Sequence, residues 1–322
     1  MKRNTMGIIG GAVVMTALLG GALPAVRAEE GAGGHYTPGG AASFIDALPG
    51  KPAWAVADYF MYYDASASAS RPFSYGGLIA VDVHSRAYAD TVLALYETPL
   101  KLLGGNYTVG VAIPYVWLEV DGKVTGPLGN TIKARDTANG IGDITLYPFM
   151  LGWVKGDLKA DLRLGIYAPT GEYHTNQLAN VGKNYWTFEP AVSVSWLSSK
   201  LGTEVSAFAG LDVSTKNDAT DYQSGDVFHL DGTLAQHLPL GKLGVIGVGA
   251  NAFYYQQVSA DTGTGAALGD FKGRTVGVGP VVSFITKLGK TDLVAEVKWL
   301  PELDVDHRVK GDYVWAKLGL AF

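Results

Sequence analysis

Apolar and polar residues alternate with a period of two along most of the chain. The clearest run is 157–168, DLKADLRLGIYA. Leu158, Ala160, Leu162, Leu164, Ile166 and Ala168 fall on one side; Asp157, Lys159, Asp161 and Arg163 fall on the other. Successive side chains of a strand point to opposite faces, so this run reads as a strand with one apolar and one charged face. A helix would scatter the same residues around its circumference. The pattern recurs. Val205, Ala207, Ala209, Leu211 and Val213 oppose Glu204, Ser206, Phe208, Gly210 and Asp212. Phe188, Pro190, Val192 and Val194 oppose Glu189, Ala191, Ser193 and Ser195. Phe228, Leu230, Leu234 and Leu238 oppose His229, Asp231, Thr233 and His237, and Leu293, Ala295, Val297 and Trp299 oppose Asp292, Val294, Glu296 and Lys298.

The pattern predicts about twelve strands, near 53–63, 87–97, 106–118, 140–152, 157–168, 185–197, 202–214, 226–238, 242–255, 273–286, 290–300 and 312–322. Residues 75–84 are apolar enough to extend the second strand or to form a separate loop structure. The predicted connections alternate in length. Those near 98–105, 153–156, 198–201, 239–241 and 287–289 are short; 64–86, 119–139, 169–184, 215–225, 256–272 and 301–311 are long. Short turns at one end, long loops at the other and an even strand count are the plan of a transmembrane β-barrel. Hydrocarbon offers no partners to a free strand edge, so such a sheet must close. The expected fold is all-β: a transmembrane antiparallel up-and-down β-barrel. Small inner-face residues (Gly110, Ala112, Gly210, Gly247, Gly249, Gly277 and Gly279) are expected to leave room for a narrow conduit.

The N-terminus has a different texture. Lys2 and Arg3 precede an apolar run, MGIIGGAVVMTALL, and Val26, Arg27 and Ala28 precede Glu29 and Glu30. This order is that of a secretory signal peptide over residues 1–28. Residues 29–52 are Gly- and Pro-rich and do not alternate, and the barrel is assigned to 53–322. Two placements are open for 29–52: a small lumen plug whose Tyr36 and Phe44 contact an apolar ligand, or a loose periplasmic tail.

Composition changes little in this picture. The chain has no cysteine, which excludes disulfides and thiolate chemistry, and a formal charge of −5, which offers nucleic acid no basic surface. Trp117, Trp153, Trp186, Trp196 and Trp299 lie near predicted strand ends, as interfacial girdles require. Trp315 falls on the inner face by the alternation. The last strand ends in Phe322, with Leu320, Leu318, Ala316 and Val314 on its face. A terminal aromatic of this kind is part of the signal read by the barrel assembly machinery. The expected location is the outer membrane of a Gram-negative bacterium, among outer-membrane lipid and lipopolysaccharide.

Three pieces of sequence resemble a known family. EEGAGGHYTPGGAASFIDALPGKPAWAVADYFMYYDA carries Glu30, Tyr36, Pro38, Gly39 and Gly40, then the turn at Pro49 and Gly50 and an aromatic first strand ending in Tyr62 and Tyr63. The second piece runs from Leu103, Gly104, Gly105, Asn106 and Tyr107 to Ile113 and Pro114; the third is Gly140, Ile141, Gly142, Asp143 and Ile144 followed by Pro148. Together they resemble the outer-membrane channel proteins of the MetA-pathway phenol-degradation family, also called SphA-like transporters. One departure is Leu48 before Pro49 and Gly50, where relatives tend to have a double proline. The resemblance spans essentially all of the chain after residue 28. It implies transport of hydrophobic or aromatic compounds, a role itself inferred from genetic context.

The candidate lumen residues are Tyr36, Phe44, Phe208 and His229 with the inner-face charges Asp143, Asp157, Lys159, Asp161, Arg163, Glu189, Glu204, Asp212, Asp231, Glu296, Lys298 and Lys317. Both signs occur. They serve either as an electrostatic filter or as cross-strand pairs that fill the lumen. Loop aromatics (Phe73, Tyr75, Tyr173 and Tyr222, with His174) either form an outer vestibule or fold the loops over the rim. His229 and Asp231 have a spacing that suits metal ligation, but no second group of ligands is evident, and no metal or cofactor is expected. An enzyme is not expected either: Ser193, Ser195 and Ser206 point inward and no Gly-x-Ser-x-Gly occurs. The leading expectation is a channel for passive uptake of a small apolar solute. The alternatives are a narrow general or oligosaccharide porin and a structural envelope barrel.

Overall fold

A computed structural model of the protein describes residues 29–67, 71–125, 131–266, 272–289 and 291–322. The signal-peptide expectation for 1–28 lies outside the described residues. Period-two alternation yields strands throughout: β1 (Ala53–Ser66), β2 (Phe73–Tyr75), β3 (Leu78–Leu102), β4 (Gly105–Thr125), β5 (Thr131–Ile141), β6 (Ile144–Lys155) and β7 (Leu158–Ala168) in the first half. The second half holds β8 (Thr187–Leu197), β9 (Thr203–Ser214), β10 (Val227–Pro239), β11 (Val245–Gln257), β12 (Arg274–Leu288), β13 (Thr291–Asp306) and β14 (Lys310–Ala321). All belong to one antiparallel sheet. β2 pairs only with the start of β3, and β5 leads into β6 across Gly142 and Asp143, so the wall is twelve strands around. β1 pairs with β14 and closes it. At this seam Trp54 and Phe322 exchange both backbone hydrogen bonds, each 3.0 Å. No helix among the described residues is long and apolar enough to cross a membrane.

Three expected long loops are largely strand instead: within 64–86, residues 64–66 end β1, Phe73–Tyr75 form β2 and 78–86 begin β3. Residues 119–125 and 131–139 lie in β4 and β5, with Leu118 paired to Ala138 and Lys123 to Lys133. Residues 301–311 are mostly the ends of β13 and β14, which pair up to Pro301 and Asp312. Alternation reports a contrast between lipid and lumen. Where strands project beyond the membrane that contrast vanishes, while the backbone ladder continues.

Burial along the wall follows the predicted faces. β8 alternates strictly, with Ala191, Ser193 and Ser195 buried and Val192 and Val194 exposed. Exposed Leu230, Leu234, Val248, Val282, Val297 and Leu318 form an apolar belt, and exposed Trp54, Trp117, Trp153, Trp186 and Trp299 lie toward its margins. Trp315 is buried inside, as its parity required. Closed, even-stranded barrels with a lipid-facing belt are the architecture of outer-membrane proteins, and this chain is one.

One feature breaks the belt. Asp58 and Asp90 share the outer face, diagonal neighbours in the β1–β3 register, where Phe60 pairs with Asp90 and Asp58 with Val92. Carboxyl groups facing lipid are costly. The double substitution Asp58→Leu with Asp90→Leu is expected to raise the temperature at which the barrel unfolds on heated gels. A lower temperature would mean instead that these acids meet a polar partner in the membrane.

Candidate functional site in the barrel lumen

Residues 29–52 thread the lumen from one end to the other. At the end bearing the longer loops, Glu29 accepts from Arg308 Nη1 at 3.0 Å and Tyr255 OH at 2.5 Å. Glu30 accepts from Tyr173 OH and Asn217 Nδ2, both at 2.9 Å. His35 bridges Asp143 Oδ2 at 2.9 Å and Thr187 Oγ1 at 2.8 Å. Asp143 also accepts from Gly171 N at 2.8 Å and Lys183 N at 2.7 Å, which ties the loop after β7 to the same point.

Midway down, the Tyr36 ring stacks on His229 with centroids 3.6 Å apart, and Phe208 lies on the same stack, 5.6 Å from His229. Tyr36 OH donates to Asp231, which also accepts from Ala41 N at 3.2 Å and Gly39 N at 3.4 Å. Lys298 Nζ donates to the carbonyls of Ala41 at 3.0 Å and Gly39 at 3.3 Å, and Trp315 Nε1 donates to Pro38 O at 3.1 Å. The Pro-Gly-Gly motif now has a physical reason. Gly39 takes φ +77° and passes so close to Leu300 that a Cβ would collide with it. Only glycine accepts both the left-handed backbone and the contact.

Lower down, Ser43 Oγ donates to Glu296, and Phe44 N donates to Glu204 Oε1 at 2.8 Å. The Phe44 ring meets His237 edge-on at 5.1 Å, and His237 Nε2 lies 2.8 Å from Glu204. Asp46 is paired with Lys317 at 2.8 Å, and Arg163 holds Asp161 and reaches Asp46 O. Lys159 donates to Leu48 O at 3.1 Å, and Gly50 N donates to Glu97 at 2.8 Å. Beyond this point the segment enters β1. Hydrogen bonds to ionised groups are worth about 1.5–3 kcal/mol each, so the segment is held by a ladder of strong contacts.

The structure therefore brings Tyr36, Phe44, Asp143, Lys159, Asp161, Arg163, Glu189, Glu204, Phe208, Asp212, His229, Asp231, Glu296, Lys298 and Lys317 together inside the barrel. Asp157 is a correction. It lies in the β6–β7 turn, where Oδ2 accepts from Ser199 N at 3.0 Å, and takes no part in the lumen. It shares the parity of Asp161, but the strand ends before it. The inner glycines are a second correction. A Cβ on Gly210 would collide with the His229 ring, one on Gly247 with Ser283 and His237, and one on Gly277 with Phe253. At these three positions the space is filled by a neighbour's side chain, whereas Ala112 of the same inner-face set does line open lumen. The loop aromatics Phe73, Tyr75 and Tyr222 are buried. Across the rim, Asp221 accepts from Lys216 Nζ at 2.8 Å and Thr264 Oγ1 at 2.6 Å, which hold its carboxyl well below the usual carboxylate range.

The charges that contact the segment lie chiefly on β7 to β14, and the opposite side of the lumen differs. A cavity of about 1070 Å³ runs between residues 29–52 and the wall of β1, β3 and β4. Its wall side includes Ala55, Ala57, Met61, Ala87, Ala89, Leu93, Leu95, Ala112 and Val116. The lining reaches Arg308 and Val309 at one end and Lys51, Lys287 and Phe322 at the other. Apart from Ala112, these residues escaped the sequence reading because the inner faces of β1 and β3 are largely apolar like their outer faces, so period two is weak there. An apolar inner face was itself the available signal.

Comparison with known proteins places this barrel. The model of the family described as "Putative MetA-pathway of phenol degradation" matches residues 69–318. The chain belongs to this family. The matched span begins after the threaded segment, so the Pro-Gly-Gly motif lies outside it. An outer membrane channel from Pseudomonas putida F1 has the same fold: 15% identity, 89% of this chain and 100% of that chain covered, TM-score 0.60. The β domain of the Bordetella autotransporter BrkA is also similar, with 15% identity, 84% of this chain and 100% of that one, and TM-score 0.44. None of the curated proteins matches.

Proposed function

We propose that the protein is an outer-membrane channel for passive uptake of small hydrophobic or aromatic compounds. The observation that carries this reading is the asymmetry of the lumen. Polar groups of β7 to β14 bind the threaded segment, which leaves an apolar crevice against β1, β3 and β4. Its volume suits a small ligand; its β1, β3 and β4 side is mostly Ala, Leu, Met and Val, while polar groups such as Tyr59, Thr91, Tyr147 and Arg163 also line it. An apolar solute pays no desolvation penalty on entering, whereas a sugar would leave polar groups unpaired. The phenol-degradation description of the family and the channel of similar fold support the same reading. The threaded segment serves as the plug that keeps the rest of the lumen closed.

The test is to fill the crevice. Ala57 and Ala112 lie in one row across the wall, each paired with Leu93 between them. Ala57→Phe with Ala112→Phe is expected to cut uptake of a labelled monoaromatic compound by cells several-fold, with barrel levels unchanged. Unchanged uptake would remove the crevice as the route. Rapid sugar entry into liposomes by the unmodified protein would favour the porin.

A further inference from the structure

Glu189, Asp212 and His229 sit on three adjacent strands and meet inside the wall. The β8–β9 register pairs Phe188 with Val213 and Ala191 with Gly210, which sets Glu189 opposite Asp212. Like charges directly opposite on one face repel. Both side chains are buried, and the only ion-pair partner of either among the described residues is His229. Its Nε2 is 3.1 Å from Glu189 Oε1 and 3.4 Å from Asp212 Oδ1. Neither contact is aligned as a hydrogen bond. Glu189 Oε1, both Asp212 oxygens and both His229 nitrogens have no hydrogen-bond partner, although Asp212 is only 3% exposed and His229 0%. A dry carboxylate without a donor is strongly unfavourable.

A metal ion resolves this. The ligand atoms of the three residues lie within 4.8 Å of one another. Two donors bound at about 2.1 Å to one ion, at tetrahedral to octahedral angles, stand roughly 3.0–3.4 Å apart; the two separations from His229 Nε2 match, and the two carboxylates need only draw together for all three to bind one ion. The surroundings orient the ligands. Tyr167 OH donates to Glu189 Oε2 at 2.8 Å and aims the other oxygen inward. The His229 ring is packed against Tyr36 and lies over Gly210, where a Cβ would displace it. Glu189 also lines the lumen cavity, which supplies an entry path. One imidazole and two carboxylates suit a borderline divalent ion with an open fourth position, whereas calcium and magnesium favour more oxygen ligands.

We infer that Glu189, Asp212 and His229 bind a divalent first-row transition-metal ion of the zinc class. The ion would tie β8, β9 and β10 together beneath the ring on which Tyr36 stacks. The spacing of His229 and Asp231 pointed to ligation, but only His229 belongs to this set; Asp231 holds the threaded segment, and Glu189 and Asp212 come from neighbouring strands.

The test uses untagged protein, residues 29–322, refolded in detergent, stripped with EDTA and titrated with Co²⁺. The expected result is one equivalent bound with intense visible ligand-field bands, displaced by Zn²⁺ and not by a large excess of Mg²⁺. Asp212→Asn and His229→Gln, each checked for heat-modifiable mobility, are expected to weaken binding by about 10- to 100-fold or more. The wild-type spectrum stands as a test even if a variant fails to fold. No bands in the wild type would overturn the inference. So would equal bands in both folded variants, which would mean an exposed histidine elsewhere.

Discussion

Deleting residues 29–52 is expected to raise single-channel conductance in planar bilayers by on the order of tenfold, because twelve strands enclose a lumen wider than side chains alone can fill. The segment contributes no wall strand, and β1 closes on β14 without it. The barrel should therefore fold. Removing one partner of a dry ion pair is severe because the other charge stays buried and unpaired. Here the whole segment leaves and water replaces it, so Asp231, Glu296, Lys298 and Lys317 become hydrated rather than orphaned. The deleted protein should keep its heat-modifiable mobility and lose a modest part of its thermal stability. Equal conductance with and without the segment would show that wall side chains close the lumen themselves, and would end the plug reading.

The second large effect is expected from Asp231→Ala. Its carboxylate accepts from Tyr36 OH and from the backbone of Gly39 and Ala41, at the midpoint of the thread. Removing one member of such a buried set costs about 3–5 kcal/mol. At about 1.4 kcal/mol per tenfold, the undocked fraction of the segment should rise by roughly a hundredfold or more. The absence of cysteine makes this measurable. Ser43→Cys places a unique thiol at a buried position of the segment. A membrane-impermeant maleimide should label it slowly in the otherwise native protein and far faster when Asp231→Ala is added. Equal rates in the two proteins would show that Asp231 does not anchor the segment. The isosteric Asp231→Asn should fall between, since it keeps one acceptor and loses the charge.

Much of this molecule is legible in its sequence. The run 157–168 announced its two faces, and Lys159, Asp161 and Arg163 do point inward. Trp299 outside and Trp315 inside follow from parity alone. Other features were illegible for physical reasons. The paired ends of β4 and β5, 119–125 and 131–139, mix polar and apolar residues on both faces, so alternation gives no signal there. The apolar crevice belongs to strands whose inner and outer faces are both apolar, so no period marks it. Gly210, Gly247 and Gly277 looked like open space because a sequence shows the missing side chain and not the neighbour that fills its place.

By itself, then, the sequence determined the membrane-crossing parts of most strands, which face of each meets lipid and which residue types the lumen would hold. A one-residue choice of face follows from the pleat and needs no knowledge of partners. Which inward residues meet was decided only by the closed sheet. Glu189, Asp212 and His229 are far apart along the chain, and the β8–β9–β10 register joins them. The path of residues 29–52 was likewise a tertiary outcome. A segment without periodicity carries no address of its own; its place is set by the buried charges that need its donors and acceptors, and those charges come together only when β14 closes on β1.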